Sequence, residues 1–149
     1  MSLRVNQAAP DFSLPSTSGQ EFSLFKDGAS KPCILFFYPK DFTPGCIKEA
    51  CEFRDSFGFF RKLNIDVYGI SQDSLESHIK FKKQYGLPFD LLADTTGQVS
   101  KLYHASVPFL RINRRVTYLL DRDHKIKAVY EALLGAERHV KEMIGRLKQ

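Results

Sequence analysis

The chain has 149 residues, a mass of 17.1 kDa, 43% hydrophobic residues and 26% charged residues. This size and composition are typical of a single globular domain over 1–149, and they exclude disordered and collagen-like chains. The longest apolar run, Cys33–Tyr38, has six residues, whereas a membrane-spanning helix needs about 20. The N-terminal segment lacks a long apolar stretch, so we expect neither a secretory signal nor a membrane partner.

The basic excess lies in the C-terminal quarter of the chain. The net charge is +5, residues 1–110 carry 12 basic and 12 acidic side chains, and residues 111–149 carry 10 and 5. Arg111, Arg114 and Arg115 form the densest cluster. No nucleic-acid-binding motif accompanies them, so we expect no nucleic-acid partner. The cluster is interpreted as solvated charge, with one arginine available for site chemistry.

The N-terminal third predicts a hairpin followed by a buried strand. Segments 11–14 and 21–24 alternate polar and apolar residues, as half-buried strands do, and Ser18-Gly19 between them is a turn signal. The apolar run 33–38 contains aromatic and β-branched residues and lies between two prolines. It predicts a central strand that is buried on both faces.

A helix is predicted directly after this strand. Thr43 can act as the N-cap and Pro44 suits the first helical position, and apolar residues then recur every three or four positions to about Leu63. The other predicted elements are a strand at 65–70, helices at 74–85 and 98–103, a hairpin of strands at 116–120 and 126–130, and a helix at 137–148. This order predicts a mixed β-sheet with helices on both faces, the thioredoxin-like α/β sandwich.

Cys46 lies at the N-terminus of the first predicted helix. Unpaired backbone N–H groups and the helix dipole favour the thiolate form of a cysteine there. Gly45 allows a substrate to approach the backbone closely. Placement alone leaves two interpretations open, a reactive nucleophile or a small buried hydrophobic side chain.

Cys51 follows five residues later on the same predicted helix. An ideal helix separates the two Cα atoms by about 8.6 Å, but a disulfide needs about 4.4–6.8 Å. If the two cysteines react with each other, the first turns of the helix must unwind. The alternative is that Cys51 packs in the core beside Ala50.

The third cysteine, Cys33, heads the buried strand and is interpreted as core packing. Three cysteines do not make a disulfide scaffold, so we expect a reducing, cytoplasmic compartment. No spacing matches a zinc site, and we expect no metal. The four histidines are scattered and are expected at the surface, at positions 78, 104, 124 and 139.

The segment Phe37–Cys46, continuing to Asp55, closely resembles the active-site segment of the peroxiredoxins of the AhpC/TSA family. The Pro-x-x-x-Thr-x-x-Cys core is present as Pro39, Thr43 and Cys46. A second cysteine five residues later is similar to the bacterioferritin comigratory protein or peroxiredoxin Q branch. The likeness extends over nearly the whole chain, and Arg115–Asp121 resembles the segment that carries the family's active-site arginine.

This resemblance implies a thiol peroxidase with a thioredoxin-like fold, no cofactor and no metal. Cys46 would be the peroxidatic cysteine, which a peroxide oxidises to sulfenic acid. Cys51 would be the resolving cysteine, which closes an intramolecular disulfide. Thioredoxin or a similar dithiol donor would reduce that disulfide, and the branch implies a monomer.

The remaining site residues take roles that suit their chemistry. The Thr43 hydroxyl can accept from the peroxide and donate to the thiolate. Arg115 supplies a permanent cation that steadies charge as the O–O bond breaks. Backbone N–H groups at Gly45 and the next residue add donors, and Pro39 shields the thiolate from water. Glu49 is interpreted either as the partner that orients Arg115 or as a solvated helix residue.

The sequence departs from the family pattern in two places. The turn Asp121–His124 lacks the usual glycine, which leaves the turn type open, and segment 103–110 also lacks its glycine-containing pattern. Arg114 and Arg115 are adjacent, and we assign the active-site role to Arg115 because it stands two positions before Thr117.

Two other functions use similar chemistry. A peroxide-sensing relay protein would pass oxidation from its cysteines to a partner without catalytic turnover. A thioredoxin-like reductase would use Cys-x-x-Cys, whereas this chain has four residues between Cys46 and Cys51.

Overall fold

The structure, a computed structural model, describes residues 2–131 and begins with the predicted hairpin. Strand β1 (Ser13–Pro15) pairs antiparallel with β2 (Glu21–Ser23). Gly19 in the turn has φ +91°, which glycine adopts without strain. A short helix that the sequence analysis did not predict, α1 (Leu24–Asp27), follows the hairpin.

A five-stranded mixed sheet forms the centre of the molecule. Its strands are β3 (Cys33–Phe37), β4 (Asp66–Ser71), β5 (Asp90–Ala93), β6 (Val116–Leu120) and β7 (Ile126–Glu131), in the spatial order β5-β4-β3-β6-β7. Strand β3 is parallel to β4 and antiparallel to β6, with Phe37 opposite Val116. The end of β3 and the start of β6 therefore lie side by side at one end of the sheet's strands.

The predicted helix from Pro44 to about Leu63 is two helices, α2 (Pro44–Asp55) and α3 (Phe57–Lys62). Ser56 at the junction has φ −100° and ψ 3°, and its carbonyl accepts hydrogen bonds from the N–H groups of Phe59 and Phe60. The chain therefore starts a new turn at Ser56. The prediction of one continuous helix was wrong because the apolar spacing runs through the break.

The later helices follow their sequence signals. Helix α4 (Leu75–Tyr85) begins at the N-cap Ser74, whose hydroxyl accepts from the Ser77 N–H, and ends at Gly86 with φ +57°. Helix α5 (Gln98–Leu102) lies where a short helix was predicted. None of the helices within residues 2–131 is long and apolar enough to cross a membrane. The helix predicted at 137–148 lies outside the described residues.

Apolar side chains cover both faces of the sheet. One face packs α2, α3 and α4 through Phe53, Phe60 and Phe81, and the other packs α1 and α5 through Leu24 and Val99. Helices therefore lie on both faces, as predicted. The edge strand β5 was not predicted.

The histidines correct a further expectation. His78 and His124 are buried rather than at the surface, because both ring nitrogens of His78 and the Nε2 of His124 find polar partners inside. His124 Nε2 lies 2.7 Å from the carbonyl oxygen of Gly28, and the residue takes the left-handed conformation (φ +60°) in the β6–β7 turn, which lacks glycine. His104 is exposed, as expected.

Candidate active site

Cys46 lies in the first turn of α2, at the end of the sheet where β3 ends and β6 begins. Only 1% of its surface is exposed. Thr43 occupies the N-cap position with extended backbone, and its carbonyl accepts the first helical hydrogen bond from Ile47 N–H at 2.9 Å. The sulfur therefore lies in a buried setting next to the positive end of a helix dipole.

Arg115 brings a cation to the cysteine. Its Nη2 donates to Cys46 Sγ at 3.4 Å, and its Nη1 donates to Glu49 Oε1 at 2.7 Å. Arg114 points elsewhere: it donates to Glu131 at 3.3 Å and makes a short hydrogen bond to a backbone carbonyl. Of these two adjacent arginines, the structure thus brings Arg115 to the sulfur.

Glu49 is fully buried, so its interpretation as a solvated helix residue is wrong. Burial raises the pKa of Glu49 from 4.5 to about 7, although the charge of Arg115 and its hydrogen bond act in the opposite direction. Partial burial lowers the pKa of Arg115, but the nearby Glu49 and Cys46 raise it further, so the net direction is upward. The guanidinium therefore stays charged while the carboxyl beside it titrates near neutral pH.

Thr43 Oγ1 donates to the Lys40 carbonyl at 2.8 Å instead of capping α2. Its only proton is therefore committed within the loop, and its oxygen can act as an acceptor in this conformation. For Thr43 to donate to the sulfur, as expected, its hydroxyl would have to give up the hydrogen bond to the Lys40 carbonyl. Pro39 lies half-buried two residues after the end of β3.

Gly45 is exposed beside the guanidinium. A Cβ atom at this position would lie 3.0 Å from Arg115 Nη2, which is tighter than an ordinary van der Waals contact. The missing side chain therefore leaves room for the cation next to Cys46.

The other two cysteines lie in different surroundings. Cys51 is half-buried within the unbroken helix α2 that also carries Cys46. Cys33 lies at the opposite end of β3, where burial, with a smaller contribution from Asp66, raises the pKa of its thiol to about 12. All three cysteines are reduced.

Residues 5–129 match the AhpC/TSA family. The chain belongs to that family. It is 43% identical to a Coxiella burnetii protein named peroxiredoxin bcp, over 99% of this chain and 100% of the relative. It is 42% identical to the chloroplastic peroxiredoxin Q of Sedum lineare, over 93% of this chain and 75% of the relative.

A solved structure agrees with these relatives. The crystal structure of peroxidoxin BcpB from Mycobacterium tuberculosis superimposes with a TM-score of 0.91 at 30% identity, over 98% of this chain and 97% of that one. The predicted branch and the thioredoxin-like fold are therefore confirmed. Membership of the peroxiredoxins implies an enzyme that reduces peroxides with a thiol.

A buried polar network beside the site of this peroxiredoxin was missed from the sequence. The Asp41 carboxyl meets the side chain of Tyr38, just after β3, and those of Ser77 and His78 in α4. Asp41 lies inside the recognised motif, but nothing local in the sequence relates it to His78, 37 residues later. Only the packing of α4 against the loop after β3 brings them together.

Three ligand-type side chains in this network lie close enough to consider a metal. Atoms of Asp41, Asp73 and His78 lie within 4.8 Å of one another. Hydrogen bonds already engage these groups: Tyr38 donates to Asp41, Ser71 to Asp73, and His78 Nε2 contacts the Leu92 carbonyl. The arrangement is therefore a hydrogen-bond network.

Proposed function

We propose that this peroxiredoxin reduces hydrogen peroxide and organic hydroperoxides with Cys46 as the peroxidatic cysteine and Cys51 as the resolving cysteine. Thioredoxin or a similar dithiol donor would recycle the resulting intramolecular disulfide. The observation that carries the proposal is the 3.4 Å contact between Cys46 Sγ and Arg115 Nη2 at the start of α2. A cation and a helix N-terminus together stabilise the thiolate, which is the nucleophilic form of cysteine.

In the first step the Cys46 thiolate attacks the terminal peroxide oxygen. An S–O bond forms, the O–O bond breaks, and two electrons pass from sulfur to the peroxide. The leaving oxygen takes a proton and departs as water or an alcohol, while Cys46 becomes a sulfenic acid. Arg115 stabilises the negative charge that develops on the leaving oxygen. Thr43 accepts a hydrogen bond from the peroxide, and Pro39 limits access of water.

In the second step the Cys51 thiolate attacks the sulfenic sulfur. The S–S bond forms and the hydroxyl group leaves as water after it gains a proton. Both cysteines lie on one unbroken helix, so they cannot reach disulfide distance until the start of α2 unwinds. A dithiol donor then supplies two electrons and restores both thiols.

Cys51→Ser tests this sequence of steps. The variant should complete one peroxide reduction as fast as the wild type, but it should not turn over with a thioredoxin system. Stopped-flow oxidation measures the first quantity, and peroxide consumption with reductase and NADPH measures the second. Full turnover in Cys51→Ser would contradict the intramolecular disulfide. A wild-type chain that oxidises once and never turns over would favour the relay interpretation.

Hydrogen exchange tests the unwinding directly. The amides of residues 45–55 should be better protected in the reduced protein than in the disulfide form. Residues 75–85 of α4 serve as the internal control, because the proposed unwinding does not involve that helix. Equal protection of 45–55 in the two forms would contradict the unwinding step.

We also propose a cytoplasmic monomer that binds neither nucleic acid nor a membrane. An intramolecular disulfide needs no second chain, which supports the monomer. The Sedum lineare relative is named as chloroplastic, so the compartment of this chain needs its own measurement. Light scattering of the reduced protein and fractionation of the host cells test the two statements.

A further inference from the structure

We propose that His78 is a positioning residue that holds the Cys46 loop in its reactive conformation through Asp41. The loop from Pro39 to Thr43 leads from β3 into α2 and carries two residues of the candidate site. This inference rests on the proposed function, because it concerns the balance between the peroxide step and the unwinding that allows resolution.

Asp41 is held from several directions. Its Oδ1 accepts from the Tyr38 hydroxyl at 2.6 Å, and its Oδ2 accepts from Ser77 Oγ at 2.8 Å and lies 2.7 Å from His78 Nδ1. Its backbone N–H donates to Asp73 Oδ2 at 2.9 Å. Because the Asp41 residue is 4% exposed, water cannot readily replace these partners, and their loss would be costly.

His78 connects this carboxyl to the sheet. Its Nε2 lies 3.0 Å from the Leu92 carbonyl oxygen in β5. A carbonyl only accepts hydrogen bonds, so Nε2 must carry a proton. One further proton lies between Nδ1 and Asp41, and the pair is neutral overall whichever atom holds it. The fully buried ring therefore braces the loop against both α4 and β5.

At Phe42, the residue after Asp41, the hydrogen bonds give way to a ring contact with Phe81. Phe42 has φ +66°, in the left-handed region that bulky residues rarely adopt, and is 40% exposed. Thr43 and Pro44 then start α2. The polar anchors of the loop thus end at Asp41, and the Phe42 ring still contacts Phe81 and Tyr85 of α4. The segment that must unwind begins after Phe42. Release of Asp41 should misplace Thr43 and make unwinding easier.

Two rate constants should therefore change in opposite directions when Asp41 loses its contact with His78. The peroxide step should slow by about ten- to a hundredfold, since small displacements of positioned groups have effects of that size. The peroxide-independent step that forms the disulfide should speed up, and less sulfinic acid should form at high peroxide. A general loss of stability would not produce this split, in which the peroxide step slows while disulfide formation speeds up.

A matched pair of substitutions isolates the contact with Asp41. His78→Asn places an amide N–H near the position of Nδ1, so it keeps the contact with Asp41 and gives up Leu92. His78→Gln places its amide near Nε2, so it keeps Leu92 and gives up Asp41. Stopped-flow measurements should show a clearly larger split in His78→Gln than in His78→Asn, because His78→Asn keeps the hydrogen bond to Asp41. Equal rates in the two variants, or a fall in both steps together, would overturn the proposal.

Milder variants keep the test usable if either substitution prevents folding. Tyr38→Phe and Ser77→Ala each remove one donor to Asp41 and should show a smaller split in the same direction. The matched control is His124→Gln, which should show no split. It alters a buried histidine with a similar Nε2–carbonyl contact, but in the β6–β7 turn. No split in Tyr38→Phe and Ser77→Ala would contradict the proposal. A wild-type protein that does not react with peroxide would contradict the proposed function instead.

Discussion

Cys46 and Cys33 have the same side chain and nearly the same exposure, 1% and 2%, yet they lie in opposite electrostatic settings. Cys33 starts β3, where burial raises the pKa of its thiol to about 12 and disfavours the thiolate. Cys46 follows the other end of β3, where Arg115 approaches its sulfur within 3.4 Å and a helix begins. Burial without a nearby cation therefore disfavours the thiolate, and the proposed function assigns the difference at Cys46 to the neighbouring charge.

The strongest test of this contrast removes each sulfur in turn. Cys46→Ser should reduce peroxidase turnover to the background rate, because serine lacks a nucleophilic anion at neutral pH. Cys33→Ala should leave turnover nearly unchanged. Both rates come from peroxide consumption with a thioredoxin system. Activity retained in Cys46→Ser, or lost in a folded Cys33→Ala protein, would reverse the assignment.

Removing the cation should make the Cys46 end behave more like the Cys33 end. Arg115→Ala should slow the peroxide step by about a hundred- to a thousandfold, the range found when one transition-state donor is lost. Arg114→Ala is the matched control, because that side chain pairs with Glu131 instead. Stopped-flow oxidation under single-turnover conditions measures both. A larger loss in Arg114→Ala would show that the two arginines are wrongly assigned.

Glu49 gives the Cys46 end a pH dependence below about pH 7. Its pKa rises from 4.5 to about 7 on burial, so between these values the folded state binds more protons than the unfolded state. The free energy of unfolding should therefore fall as pH rises from 4.5 to 7, by on the order of 3 kcal/mol from this group. Above about pH 7 this contribution should level off.

Glu49→Gln isolates that contribution, since glutamine stays neutral throughout. Urea unfolding at pH 5, 6, 7 and 8 should show the wild type losing stability relative to Glu49→Gln as the pH rises. Parallel pH profiles for the two proteins would mean that Glu49 does not titrate in this range.

The smallest expected effect concerns the space beside the cation. Gly45→Ala would add a Cβ 3.0 Å from Arg115 Nη2 and displace the guanidinium by a few tenths of an ångström, so the peroxide step should slow about two- to fivefold. The same change stabilises the helical form of α2 by up to about 1 kcal/mol. Gly58→Ala in α3 is the control, because nothing lies within 4 Å of its new Cβ. An unchanged peroxide step would show that the cation tolerates the methyl group.

Local patterns in the sequence account for most of the fold. The apolar run of β3, the Ser74 cap and Gly86 stop of α4, and the β6–β7 hairpin each have short-range signals that packing does not override. The break at Ser56 was missed because the apolar spacing continues across it. Strand β5 was missed because it is short and starts after a proline.

Less of the site could be predicted from local pattern alone. The motif around Cys46 indicated Thr43 and Pro39, and the resemblance pointed to Arg115. The pairing of Glu49 depends on where Arg115, just before β6, meets α2. The meeting of Asp41 with His78 depends on where α4 packs. Contacts of this kind join distant parts of the chain, so no periodicity or spacing encodes them.

The antiparallel pairing of β6 with β3 also has a consequence for how the enzyme is made. Arg115 follows Cys46 by 69 residues, so the cysteine leaves the ribosome well before its cation has been synthesised. Contacts of such long range tend to form late in folding. We expect the nascent chain to meet cellular peroxide with an ordinary thiol, and to gain fast reactivity only when β6 docks. Brief peroxide pulses during refolding would measure when this reactivity appears. Its late appearance would spare incompletely synthesised chains from irreversible oxidation.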